Sequence, residues 1–212
     1  MIKILLKFLM QCHQLHRFKK KAVFQGRNYL VNYTGKISLC DHSIKEDITI
    51  GDHVQIYGTI ISQSRGKIII GNYVTIGRNA KIQCCDKVVI EDHVIISEGV
   101  SIVDSNNHPL SPEFRKMQSM TSRSSSLHLW KYSKHTPILI EENAWIGEFA
   151  RICKGVTVGR NSIVAANAVV TKDVPVDSIV AGNPARIVNN GGLRDEDEPQ
   201  ECEEYNKLKG WK

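Results

Sequence analysis

Residues 140–170 read IEENAW IGEFAR ICKGVT VGRNSI VAANAV V, and this stretch decides the fold. An aliphatic residue opens every hexad: Ile140, Ile146, Ile152, Val158, Val164 and Val170. Four places later stands a small residue or Val, as at Ala144, Ala150, Val156, Ser162, Ala168 and Val174. The same phase runs through Ile44, Ile50 and Ile56, through Ile70, Ile76 and Ile82, and through Ile90, Ile96 and Ile102. A fixed six-residue period is the mark of a parallel β-helix, in which three hexads close one coil of a triangular prism. Both repeated positions point inward, so each coil stacks its aliphatics on the next. Burial at roughly 25 cal/mol per Å² makes that column cooperative. Alternation alone would also fit a β-sandwich, but a sandwich has no reason to hold one phase through so many turns.

Polar clusters such as Gly51-Asp52, Gly71-Asn72, Glu91-Asp92 and Gly159-Arg160-Asn161 fall where corners are needed. Gly, Asn and Asp accept the tight or left-handed backbone of a corner. Two gaps interrupt the period. Fourteen residues separate Ile56 from Ile70, implying one hexad filled imperfectly by 60–63 and two extra residues near Ser64-Arg65-Gly66. Eight separate Ile82 from Ile90, implying a two-residue bulge at 84–87.

The 212 residues fit one domain with appendages: a helix or arm over 1–30, β-helix coils over 31–188 and a tail over 189–212. No apolar run is long enough to span a membrane. The net charge of +6 is a sum of unlike parts. Residues 1–25 carry six Lys or Arg and no acid, whereas 195–204 are acidic. The basic, apolar N-terminus reads either as a helix packed on the prism, the preferred reading, or as a peripheral contact with an anionic membrane surface. No nucleic-acid motif accompanies the charge. The six cysteines show no framework spacing, which fits a reducing cytoplasm.

At 103–137 the period stops altogether and resumes at Ile138 or Ile140. A long excursion from a regular solenoid is usually functional. It opens with Val103-Asp104-Ser105-Asn106-Asn107-His108-Pro109. His108, at the foot of the loop, is placed to act as a general base near neutral pH. Asp104 stands four residues earlier, where it could orient or polarise the imidazole.

Asn107-His108-Pro109, Asn143-Ala144-Trp145-Ile146-Gly147, Gly155-Val156-Thr157-Val158-Gly159, Val170-Thr171-Lys172-Asp173-Val174-Pro175 and Ala181-Gly182-Asn183-Pro184-Ala185-Arg186 together resemble the hexapeptide-repeat acyltransferases. The similarity is greatest to their galactoside, maltose and polysaccharide O-acetyltransferase branch, and it covers residues 44–190. The resemblance implies an all-β fold, a left-handed parallel β-helix, with acetyl-CoA as acyl donor and no metal. It makes His108 the catalytic base that takes the proton from an acceptor hydroxyl. The hydroxyl oxygen then attacks the thioester directly, with backbone N–H groups holding the oxyanion. Cys84 and Cys85 are then core or corner residues, not nucleophiles.

The same resemblance puts Trp145, Gly147, Glu148 and Ala166 beside the pantetheine arm, Glu148 standing where the family has a small Ser. It puts Thr171, Lys172 and Arg186 at the nucleotide end, where Lys and Arg suit phosphates. On the acceptor side it points to Gln83 and Asp86, to Asp104 and Asn106, and to Arg115. Trp130 and Tyr132 are placed to stack on a sugar ring or to pack the loop on a neighbouring subunit. A loop this long suits a large carbohydrate acceptor, such as a polysaccharide or a lipid-linked precursor. The family also implies a cytoplasmic homotrimer, each site drawing His108 from one chain and the Trp145 side from another.

Four other readings stay open from the sequence, one of them a non-catalytic scaffold, which would bind no coenzyme and be unaffected by changing His108. An antibiotic O-acetyltransferase has a similar loop and Ala-Ala-Asn corner. A nucleotide-sugar N-acetyltransferase would act on an amino group. A zinc lyase on the same prism needs two His ligands five residues apart, and no pair here has that spacing.

Overall fold

The computed structural model of the protein describes residues 2–193 and Lys207. Three parallel sheets form the sides of a left-handed prism. The first face stacks Val23–Phe24, Ile48–Ile50, Lys67–Ile70, Lys87–Ile90, Ile138–Ile140 and Thr157–Val158. The second stacks Tyr29–Val31, Val54–Ile56, Thr75–Ile76, Ile95–Ile96, Trp145–Ile146, Ile163–Val164 and Ser178–Ala181. The third stacks Lys36–Cys40, Thr59–Gln63, Lys81–Cys84, Ser101–Val103, Arg151–Ile152 and Val169–Val170.

Hexad-opening residues pair in register up each face: Ile50, Ile70, Ile90 and Ile140 on the first, Ile56, Ile76, Ile96 and Ile146 on the second. These side chains, and the small residues four places later, are buried in one continuous core. Strands of two to five residues suffice because every strand but the first and last of each face hydrogen-bonds to the coils above and below.

The coils begin earlier than position 31. Val23–Phe24 already pairs with Thr49–Ile50. Seven residues, not six, separate Phe24 from Val31, which hides this strand from a strict hexad pattern. The fourteen-residue gap also divides differently from the expected six and eight. Ile60 aligns with Ile82, so the corner after Ile56 closes in four residues and the next run takes ten. Gly58 permits the short corner, since a Cβ there would lie 2.6 Å from the Ala80 carbonyl oxygen. The tail does not begin at 189: Arg186–Asn190 turns back antiparallel on Ser178–Ala181 and ends the second face. The acidic 195–204 segment lies outside the described residues.

Helix α1 (Ile2–Lys19) covers the N-terminal end of the prism. Phe18 is buried, Leu15 packs on the core, Gln14 donates to the Gly35 carbonyl at 2.7 Å, and Lys21 donates to that of Ile37 at 2.9 Å. No helix among the described residues is long and apolar enough to cross a membrane.

The left-handed backbone falls one place after the Gly51-Asp52, Gly71-Asn72 and Glu91-Asp92 pairs, and within the Gly159-Arg160-Asn161 cluster at Asn161 itself. His53, Tyr73, His93, Asn143 and Asn161 all have φ between 53° and 63°. Bulky side chains rarely adopt such φ values. Here His53 stacks on Tyr73 at 4.6 Å and Tyr73 on His93 at 5.0 Å, so each ring packs against its neighbours along the prism edge. The preceding Asp or Asn caps the coil below: Asp52 accepts from Asn28 N–H at 2.7 Å, and Asn72 accepts from Asp52 N–H at 2.8 Å. The Asn28 and Arg27 N–H groups hold the Asp52 carboxyl down to about 2.

Candidate active site

The loop leaves the third face after Val103 and rejoins the first face at Ile138, so it projects from the corner between them. Its two ends are tied together. Ser105 forms an antiparallel bridge with His135, Asn106 N–H donates to the Lys134 carbonyl at 3.0 Å, and Thr136 N–H to that of Asp104 at 2.9 Å. The buried hydroxyls of Ser105 and Ser133 lie 2.7 Å apart. His108 therefore stands three residues beyond a fixed stem.

Inside the loop the chain forms a second helix, α2 (Pro112–Ser119), which the hexad reading missed. The signal was local. Ser111 is the N-cap, its hydroxyl accepting from Phe114 N–H at 3.2 Å, Pro112 opens the helix, and Glu113 lies in the first turn. Phe114 packs edge-on against Tyr132 at 5.8 Å and holds the helix against the 3₁₀ turn Trp130–Tyr132 on the returning arm of the loop.

His108 Nδ1 lies 3.3 Å from Gln118 Oε1. Gln118 is 4% exposed, and its amide nitrogen donates to the Leu127 carbonyl at 2.5 Å. Sequence reading assigned the imidazole's partner to Asp104, and the structure corrects this. Asp104 is fully buried, and its carboxylate accepts from the N–H groups of Cys85 at 3.0 Å and Asp86 at 2.8 Å. Those amides belong to the bulge after Cys84, where the ladder leaves donors unpaired and a buried acceptor is required. Asp104 is thus a corner cap and stands below the reach of an acceptor. Next to His108, Asn107 has φ 64° and a buried Oδ1 with no partner among the described residues.

The other acceptor candidates cluster at this corner with differing freedom. Gln83 is half-buried on the strand below the stem, in register with Val103. Asp86 faces His135, whose Nδ1 is 3.1 Å away. The Asn106 backbone is committed to the stem. Arg115 turns back on its own loop and donates to the carbonyls of Pro109 at 3.1 Å and Leu110 at 2.6 Å, fixing the chain just after His108. Trp130 starts a single 3₁₀ turn whose carbonyl accepts from the Ser133 hydroxyl at 2.7 Å. Burial, with the Asp104 charge beside it, pushes the Cys85 thiol up to about 12 and the Cys84 thiol higher, so neither is a thiolate nucleophile.

The coenzyme candidates divide between places. Trp145 lies on the second face, 48% exposed, its indole N–H donating to Ser97 Oγ at 3.1 Å. Gly147, Glu148 and Ala166 follow at the corner between the second and third faces. Gly147 is required by the coil above, since a Cβ would meet the Ala166 nitrogen at 2.7 Å. Thr171 and Lys172 occupy the loop's own corner, after Val169–Val170. Lys172 and Arg186 come together around a pocket at the C-terminal end, lined also by Val170, Val180 and Ala185. Asp173 lines the same pocket, its carboxylate accepting from Thr157 N–H at 2.8 Å, and the two cations beside it fit a phosphorylated ligand with a nonpolar body. Among the described residues no group of three His, Cys, Asp or Glu side chains is placed to hold a metal ion.

A stacked parallel prism broken by one histidine-bearing loop defines a β-helix class, and comparison with known proteins gives its family. Residues 137–172 match the bacterial transferase hexapeptide (six repeats) family. A galactoside O-acetyltransferase of Escherichia coli (strain K12) is 30% identical over 180 residues, covering 84% of this chain and 81% of that enzyme. The chain belongs to the hexapeptide-repeat acetyltransferases. The solved structure of the polySia-specific acetyltransferase NeuO superposes with a TM-score of 0.58 at 22% identity, over 90% of this chain and 94% of that one. The acetyltransferase VCA0836 of Vibrio cholerae O1 biovar eltor, complexed with acetyl coenzyme A, does so with a TM-score of 0.55 at 24% identity, over 90% and 84%.

Proposed function

We propose that the protein is an acetyl-CoA-dependent O-acetyltransferase acting on a sugar hydroxyl of a surface polysaccharide or its precursor. The observation that carries this reading is the placing of His108. A rigid stem and a buried glutamine hold the imidazole at the prism edge that also presents Thr171 and Lys172. Acetyl-CoA supplies an activated thioester carbonyl. His108 accepts the proton of the acceptor hydroxyl, whose oxygen bonds to the carbonyl carbon; the C–S bond then breaks and the imidazolium gives the proton to the departing CoA thiolate. Lys172 and Arg186 bind phosphate at the far end, and the exposed Trp145 ring gives the arm an apolar wall. With both buried thiols held protonated, the transfer runs directly from donor to acceptor.

The division of these residues between two prism edges supports a site shared between copies in a homotrimer, His108 from one and Trp145 from its neighbour. A CoA donor supports a cytoplasmic enzyme, and six basic residues in the first 25 suit a peripheral contact with anionic lipid. The test is thiol release from acetyl-CoA with a panel of capsular oligosaccharides, simple galactosides and aromatic antibiotics. Release with an oligosaccharide, falling about 10²–10⁴-fold in His108→Ala with coenzyme binding intact, is the expected outcome. Release only with an antibiotic would transfer the enzyme to the xenobiotic branch, and full turnover in His108→Ala would remove the base.

A further inference from the structure

The hydrogen bonds around Gln118 dictate more than the position of a side chain. A neutral imidazole carries one N–H donor and one lone-pair acceptor, and a neighbouring group decides which nitrogen is which. The Gln118 amide can present either end to His108, but its other end meets the Leu127 carbonyl oxygen, which only accepts. The NH₂ group must therefore lie on the Leu127 side, and Oε1 must face His108 Nδ1. An amide oxygen also only accepts. The proton of the neutral ring is thereby fixed on Nδ1, and Nε2 is left with its lone pair.

We infer that Gln118 is a positioning residue: it locks His108 in the Nδ1–H tautomer, so that Nε2 is the atom that withdraws the acceptor's proton. Catalytic imidazoles are commonly oriented by a carboxylate; here the nearest carboxylate in sequence, Asp104, is fully buried and committed to two backbone amides. The orienting group is instead neutral and belongs to α2, ten residues along the same loop. Arg115, one turn earlier on α2, grips the carbonyls of Pro109 and Leu110. One short helix thus fixes both the backbone after His108 and the far side of its ring. Residues 104–136 form a unit that aims a base, and among the described residues the imidazole's side-chain hydrogen bond comes from within that unit.

The inference rests on His108 being the base, and its test separates the two. The ¹⁵N spectrum of the His108 side chain in the full-length protein reads the tautomer with no turnover needed. Nδ1–H is expected in the wild type, and an Nε2–H ring would overturn the assignment of Gln118 even if His108→Ala were inactive. Gln118→Leu removes both hydrogen bonds at similar volume. It should shift the spectrum toward the Nε2–H form and lower kcat by about 10²-fold, with KM for either substrate within about twofold. Gln118→Glu still offers an oxygen to Nδ1–H but gives up the donor to the Leu127 carbonyl, so it should restore the Nδ1–H signal whatever its kcat. Wild-type kcat in Gln118→Leu, or an Nε2–H ring in Gln118→Glu, would reduce Gln118 to a packing residue of the loop. Full turnover in His108→Ala would instead dismiss the base and leave the tautomer assignment standing on its spectrum.

Discussion

The prism and the loop that interrupts it are held together by opposite means. In the prism, identical aliphatic positions stack on one another, and polar groups serve mainly at the corners. In the loop no aliphatic column exists. Its order comes from polar side chains that return to nearby groups: Ser105 to Ser133, Arg115 to Pro109 and Leu110, Gln118 to Leu127. The first arrangement stores stability in a repeated, replaceable contact. The second places one imidazole using contacts that occur once each. Substitutions in the two regions should accordingly separate into those that change melting and those that change turnover.

The sharpest way to break this division is to excise the loop. Joining Asn106 to Lys134 through Asn-Gly gives the paired stem a two-residue hairpin. Turnover should vanish while the midpoint of thermal unfolding, followed by circular dichroism, moves by no more than about 4 °C. A collapse of the melting transition would show that the prism depends on the loop. In the opposite sense, Ile76→Ala removes a fully buried side chain between Ile56 and Ile96. It should cost about 2–5 kcal/mol in chemical denaturation and leave kcat unchanged below the melting range. Gly51→Ala is smaller: its Cβ would lie 2.5 Å from the Gly71 carbonyl oxygen, and the strain should cost about 1–3 kcal/mol.

The least effect concerns acid. Asp52 has its folded carboxyl value lowered to about 2 from an ordinary 3.8, chiefly by the Asn28 N–H. A value depressed by folding means that the contribution is present at neutral pH and is lost as pH falls from about 4 toward 2. Asp52→Asn should flatten the pH dependence of stability in that window, measured against the wild type. An unchanged slope would assign the acid sensitivity to other carboxylates.

The regular part of the molecule was legible in the sequence because each hexad maps to one strand and one corner, with nothing left to tertiary context. It failed where spacing departed from six, at Phe24 to Val31 and at the four-residue corner before Ile60, and at Ile44, which stands in phase but is exposed ahead of a 3₁₀ turn. His108 was legible because it stands in a motif at the break of the period. Its partner was not. Gln118 is ten residues away, and only the folding of α2 against the returning arm of the loop brings it to the ring. Asp104 misled for the converse reason. Polar and four residues from the histidine, it looked like an orienting group, yet its carboxylate was claimed by unpaired amides one coil below. Counting the donors left over at the Cys84–Asp86 bulge would have shown where it had to go.

The tied stem at Ser105 and His135 has a consequence for how such an enzyme changes over generations. Both ends of the excursion are set by the coils, so added residues enter a loop whose closure is already made. Closure entropy rises only with the logarithm of length, about 0.6 kcal/mol for each doubling. Insertions between positions 107 and 133 are therefore nearly free of thermodynamic penalty for the scaffold. A lineage can lengthen, shorten or exchange that segment, and with it the acceptor it meets, while inheriting the same melting temperature.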